Sequence, residues 1–207
     1  MNNILKIAVT GSAGSGKSLV CQHFKTIGLV VLDCDVIARE VVEAGTVGFE
    51  KIIELFGQKI VDKNGMLDRA ALRKIIIDNS IMRKKLETVL HPLINKEMVS
   101  QMENVEYKNK QAVAVEVPLL FELGMQHSFD ATIAVVAEDM DLVKRICNRD
   151  NVNKQDALKM LNLQMSQKEK QKRADYTIVN KGDMSKVFKS VNNLFNIIQK
   201  EFKKKNS

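Results

Sequence analysis

One stretch near the N-terminus limits what this chain can fold into more than any other. Ile4 to Ser18, ILKIAVTGSAGSGKS, runs an apolar segment straight into a glycine-rich turn that ends in Lys-Ser. The turn spells G-x-x-x-x-G-K-S, with Gly11, Gly16, Lys17 and Ser18 at the fixed places and Gly14 as an additional hinge. Successive backbone N–H groups can wrap a phosphate chain only where side chains stay clear, and glycines keep them clear. A helix opening near Gly16 then aims its unpaired N–H groups and positive dipole end at the anion. The loop residues Ala13, Gly14, Ser15, Gly16, Lys17 and Ser18 are therefore the expected nucleotide site. Lys17 belongs on the β- and γ-phosphates and the Ser18 hydroxyl on Mg²⁺. A chance glycine loop is the competing reading. The strand before it and the amphipathic helix after it, with Leu19, Val20, Phe24 and Ile27, count against chance.

With 207 residues, 45% of them hydrophobic, the chain can bury one good core and a small inserted subdomain. No apolar run reaches the roughly 18 residues of a membrane span, and no cleavage site of a secretory signal follows the first residues. A cytoplasmic protein without a membrane partner is the expectation. Cys21, Cys34 and Cys147 are odd in number and lack metal-ligand spacing, so reduced thiols are expected. The net charge of +7 suits nucleic acid, a membrane surface or a polyanionic small molecule, and its sign alone does not choose. With two tyrosines and no tryptophan, the stacking platform of a single-strand binder is poorly supplied, so no nucleic-acid partner is expected. Lys203 to Lys205 read as a frayed, solvated tail.

Along the chain, Leu29 to Leu32 forms a short buried strand ending in Asp33-Cys34-Asp35. Ligands of open α/β sheets bind at that carboxyl edge. Asp35 is therefore placed to orient an attacking hydroxyl or take its proton, although either aspartate could instead cap the helix over 36–42. Arg39, four residues beyond Asp35, reaches the same ligand. From Thr46 to about Glu103 the pattern is helical, interrupted by a hairpin-like turn at Asp62 to Gly65. Asp68 and Ser80 are candidate helix caps, and a kink is expected at His91-Pro92. This block reads as an inserted substrate-binding subdomain, its basic residues mostly a solvated face. Strands follow at Gln111 to Val117 and Ala131 to Ala137. A charged helical stretch over 139–172 carries Arg145 and Arg149 on one face, either a wet surface or a lid that closes over a transferring phosphoryl group. A strand at Thr177 to Val179 and a helix from Met184 to Phe202 close the chain.

Taken together, GSAGSGKS, LDCDVIAREVV, LHPLI, VPLLFE, RICNRDNV and IVNKG, in that order, resemble the dephospho-coenzyme A kinases over nearly the whole length. The resemblance implies an α/β fold. It would be a parallel sheet of the P-loop kinase type flanked by helices, with a nucleotide core near 1–45, 111–138 and 175–203, a helical acceptor-binding insertion near 46–105 and a lid near 139–172. It implies transfer of the ATP γ-phosphate to the ribose 3′-hydroxyl of dephospho-coenzyme A, with Mg²⁺. It places Asp35 on that hydroxyl, Arg145 on the phosphates, and Asn180 and Gly182 beside the adenine, while Arg149 joins Arg145 at the phosphates on the strength of their shared helix face. Arg39, His91, Pro118, Leu119, Leu120 and Phe121 fall around the acceptor. Leu19 replaces the threonine usual after Lys-Ser, so its contact with the α-phosphate would come from the backbone N–H alone. Glu116 stands where aspartate is frequent. A monomer is the expected state.

Two rivals share parts of this pattern. A GTPase is suggested by D-x-x-G at Asp62 to Gly65 and N-K-x-D at Asn180 to Asp183, but the first falls in a turn without a buried strand before it and the second lies near the chain end. A nucleic-acid-binding ATPase would use the positive charge, against the shortage of aromatics. Nucleoside and shikimate kinases would share the loop and the lid and differ in the acceptor.

Overall fold

The computed structural model describes residues 4–105 and 112–206. In chain order the elements are β1 (Leu5–Thr10), α1 (Lys17–Thr26), β2 (Val30–Asp33), α2 (Cys34–Glu40), α3 (Val47–Phe56), α4 (Arg69–Asp78), α5 (Ser80–Glu103), β3 (Ala112–Glu116), β4 (Ala131–Val136), α6 (Asp139–Asp150), α7 (Lys154–Asn162), α8 (Gln167–Arg173), β5 (Tyr176–Val179) and α9 (Met184–Lys205). They form two compact units, 1–33 with 104–207 and 34–103. The helix α2, counted with the nucleotide core on sequence grounds, belongs to the second unit.

The first unit is built on a five-stranded sheet of order β2-β3-β1-β4-β5, parallel throughout. Parallel strands need crossovers and coverage on both faces, which explains why β3 and β4 read as near-continuous apolar runs and are almost wholly buried. Ile7, Val9, Ala114, Ile133 and Val135 form the core of the sheet, and Phe24 of α1 meets Phe195 of α9 edge-on within it. All strands point the same way, so all their carboxyl ends open on one edge. There Asp33 pairs in register with Glu116, and Glu116 with Val9.

The second unit, α2 to α5, has its own core of Val42, Ile52, Phe56, Ile60, Leu72 and Leu86. The expected hairpin-like turn is present: Val61 and Leu67 form a single antiparallel bridge, and Asp62 Oδ1 accepts from the N–H groups of Asn64 and Met66. Asp68 caps α4, its side chain accepting from Ala71 N at 2.9 Å.

Two local expectations are corrected. Ser80 is the first residue of α5 and the cap is Asn79, whose Oδ1 accepts from Met82 N. Pro92 lies inside α5, which runs past it to Glu103, as the helical pattern predicts. Lys203 to Lys205 are solvent-exposed, as expected, but helical, forming the last turn of α9. Gln111, expected to start a strand, lies outside the described residues.

Candidate active site

The glycine loop occupies the turn from β1 into α1. Gly16 sits at φ 98° ahead of α1 with no side chain capping the helix, so the first-turn N–H groups face outward as an anion site. Lys17 is 8% exposed, and its Nζ donates to Ser12 O at 3.2 Å, holding the ammonium inside the loop. Two of the loop amides are engaged by the protein: Ala13 N donates to Gln164 Oε1 at 3.0 Å and Ser15 N to Ser12 O at 3.1 Å.

The glycines are fixed by close approach as well as by backbone conformation. A Cβ on Gly11 would lie 2.3 Å from Val135 O. On Gly14, at φ 76°, it would lie 2.9 Å from Leu142 O, because α6 packs directly on the loop. One on Gly16 would lie 2.2 Å from Asn180 Nδ2. Gly14 is thus a contact surface for α6 as much as a hinge. Asn180 is almost fully buried, and its Nδ2 donates to Ser15 O at 2.9 Å while its Oδ1 accepts from Gly182 N at 3.0 Å. The turn after β5 therefore braces the phosphate loop from behind.

At the sheet edge the Ser18 hydroxyl, which is exposed, donates to Glu116 Oε1 at 2.9 Å. Asp33 is the cross-strand neighbour of Glu116. A hydroxyl and two carboxylates offer the oxygen donors that a hard divalent cation takes. Among the described residues no group of three or more histidine, cysteine, aspartate or glutamate side chains is arranged to chelate a metal. Beneath this edge the Cys21 thiol is pushed well up, by burial first and then by the carboxylates of Glu116 and Asp33, against the lowering influence of Lys17.

Of the two arginines on α6, Arg145 reaches the loop, its guanidinium donating to Gly14 O at 3.1 Å and to Asp141 at 3.5 Å. Arg149 lies a turn further on, exposed and joined to Asp150 by two hydrogen bonds at 2.8 Å. The structure brings the first arginine to the phosphate cradle and not the second. In the Pro118–Phe121 segment, Leu120 is fully buried and Phe121 nearly so, so that Pro118 and Leu119 supply the surface there.

In the second unit Asp35 is exposed in the first turn of α2, one turn before Arg39. The backbone carbonyl of Arg39 accepts from the Arg69 guanidinium at 3.1 Å. His91 is half-buried on α5. A cleft of about 350 Å³ between α2, α3 and α5 is lined by Glu40, Val47, Gly48, Leu93, Lys96 and Glu97, and so lies beside rather than at the residues singled out.

Neither guanine-binding lookalike survives as one. Asp62 is spent on its own turn, and Asp183 caps α9 through Lys186 N, a hydrogen bond that holds its carboxyl below the usual range. The reading from sequence missed Gln164 on Ala13 and Gln167, which brackets Ala137 through both its N–H and its carbonyl. No local signal marks a glutamine for such work, because its partner lies far away in the chain.

A parallel sheet with a phosphate loop at its carboxyl edge, a lysine within the loop and an arginine laid on it from a following helix defines a P-loop phosphotransferase. The finer assignment comes from comparison. Residues 5–186 match the family described as Dephospho-CoA kinase. The dephospho-CoA kinase of Bacillus licheniformis is 39% identical over 181 residues, which is 87% of this chain and 90% of that one. The solved dephospho-CoA kinase from Campylobacter jejuni is 28% identical, with a TM-score of 0.71 over 95% of this chain and 98% of its own. A shikimate kinase from Bacteroides thetaiotaomicron, at 12% identity and a TM-score of 0.53 over 95% and 99%, shares the fold alone. The chain belongs to the dephospho-CoA kinase family, whose members phosphorylate dephospho-CoA at the expense of ATP in coenzyme A biosynthesis.

Proposed function

We propose that the phosphate loop, Arg145 and Asp35 divide the transfer of the ATP γ-phosphate to the ribose 3′-hydroxyl of dephospho-CoA. Amides of Gly14, Gly16, Lys17, Ser18 and Leu19 cradle the triphosphate, and Lys17 exchanges its bond to Ser12 O for phosphate oxygens. Ser18, with Glu116 and Asp33 behind it, would hold Mg²⁺, which would supply positive charge against the triphosphate. Asp35 orients the 3′-hydroxyl and receives its proton. Arg145, already on the loop, neutralises charge developing on the transferring group, and Arg149 assists if α6 moves. Asn180 and Gly182 border the adenine. Arg39, His91, Pro118 and Leu119 form acceptor contacts, and Leu120 and Phe121 support them from the core.

The observation that carries this reading is the bond from Arg145 to Gly14 O. It fixes a delocalised cation against the cradle before any ligand arrives, and preorganised charge of this kind is the main source of rate in phosphoryl transfer. The protein works as a cytoplasmic monomer on small molecules, without nucleic acid or membrane.

Asp35→Asn tests the assignment of roles. Steady-state kinetics should show kcat lowered by about 10²-fold or more while KM for ATP stays within about twofold. Near wild-type turnover would remove Asp35 from the chemistry.

A further inference from the structure

Lys170 of α8 is fully buried, a state that a lysine keeps only when its ammonium is met on all sides. Its Nζ donates to Pro118 O at 2.6 Å and to Glu122 Oε1 at 2.7 Å. Glu122 Oε1 also accepts from Met165 N at 2.9 Å, and Pro118 O also accepts from the Thr10 hydroxyl at 3.3 Å. One cation thus grips both ends of the turn 118–122. The next three carbonyls of that turn bond within the chain just beyond it: Leu119 O accepts from Leu123 N, Leu120 O from Met125 N and Phe121 O from Gly124 N. Pro118 O depends on side chains brought from elsewhere.

Burial lowers the Lys170 ammonium from its usual range and the Glu122 carboxylate partly restores it, so the pair carries a desolvation penalty. A pair of apolar residues would fill the same space at no such penalty, but could not hold a carbonyl. We infer that Lys170 is a positioning residue for the acceptor: it sets the Pro118–Glu122 turn in the shape that presents Leu119 to dephospho-CoA. This rests on the reading that Pro118 and Leu119 meet the acceptor, and it adds a residue that touches neither substrate.

The test compares Lys170→Met, Lys170→Met with Glu122→Gln, and Leu119→Ala, by melting temperature and by separate KM values for the two substrates. Lys170→Met leaves a carboxylate stranded and should melt early. The double variant has a neutral pair of similar volume, with the amide oxygen that replaces the carboxylate still able to accept from Met165 N, and should recover most of the melting temperature. Positioning predicts that both still raise KM for dephospho-CoA about tenfold with KM for ATP within about twofold. A double variant with wild-type acceptor KM would overturn the proposal and reduce Lys170 to a neutraliser of Glu122. Equal rises in both KM values would overturn it as well, since they mark general loosening. Leu119→Ala separates the two claims. If it raises acceptor KM while the double variant does not, only the role of Lys170 falls. An unchanged acceptor KM in Leu119→Ala removes the reading of the turn, and the role of Lys170 with it.

Discussion

Gly16 bears two constraints at once, a left-handed backbone and the side chain of Asn180 pressed against its missing Cβ. Gly16→Ala should therefore destabilise the protein by about 1–3 kcal/mol, measurable by denaturant unfolding, and raise KM for ATP. Adding Asn180→Ala makes room but leaves φ strained, so rescue should be partial. Tyr176 offers a pH test away from the site. Its hydroxyl donates to Glu201, and burial followed by that carboxylate pushes its pKa from the usual 10.0 up to about 12. The folded state thus binds the phenolic proton more tightly than the unfolded chain does. The resulting stability is complete below pH 10 and is lost as pH rises through about 12. Melting curves of wild type and Tyr176→Phe should converge across that window, the wild type falling more steeply.

Among the elements, α5 carries a proline in its interior. Pro92 removes one N–H from its interior, which costs about 3 kcal/mol in an unconstrained helix. Pro92→Ala should raise the melting temperature by several degrees, read by calorimetry. The same helix shows where local sequence stops being informative: Asn79 and Ser80 are both good caps, and only the final hydrogen bond to Met82 N chooses between them. At the other end of the chain, the apolar face of α9, with Val191, Phe195 and Ile198 in the core and Phe202 packed on it, carries the helix on through lysines that looked frayed. There those cations also meet the negative end of the helix dipole. By contrast β1, the glycine loop and α1 were legible at once, because each position obeys one local rule. Lys170 was not, since a lysine in the run Gln167 to Arg173 is surrounded by charge in sequence and by Pro118 and Glu122 only in space.

At the scale of the whole molecule, the +7 charge now has partners of opposite sign in two polyanionic substrates. An excess of positive charge raises encounter rates with anions and is screened by salt. Where encounter limits turnover, kcat/KM for dephospho-CoA should fall several-fold between about 0.02 and 0.5 M NaCl while kcat changes little. A titration with single-stranded DNA at physiological ionic strength should show no saturable binding. The second unit begins at Cys34, and nothing in the local sequence marks that start. The turn from Asp33 into Cys34 has neither glycine nor proline to mark it.

In the sheet, β2 and β3 are adjacent partners, Val30 against Val113, yet the entire second unit is strung between them. Were that intervening chain loose, its ends would meet against a sizeable entropy of closure and the two strands would pair late. A segment that condenses first around Ile52, Phe56 and Leu86 replaces the long slack loop with a short effective tether. Residues 34–103 leave the ribosome ahead of β3, so an insertion that condenses as it emerges leaves β2 and β3 only a short gap to close when the nucleotide-binding sheet assembles.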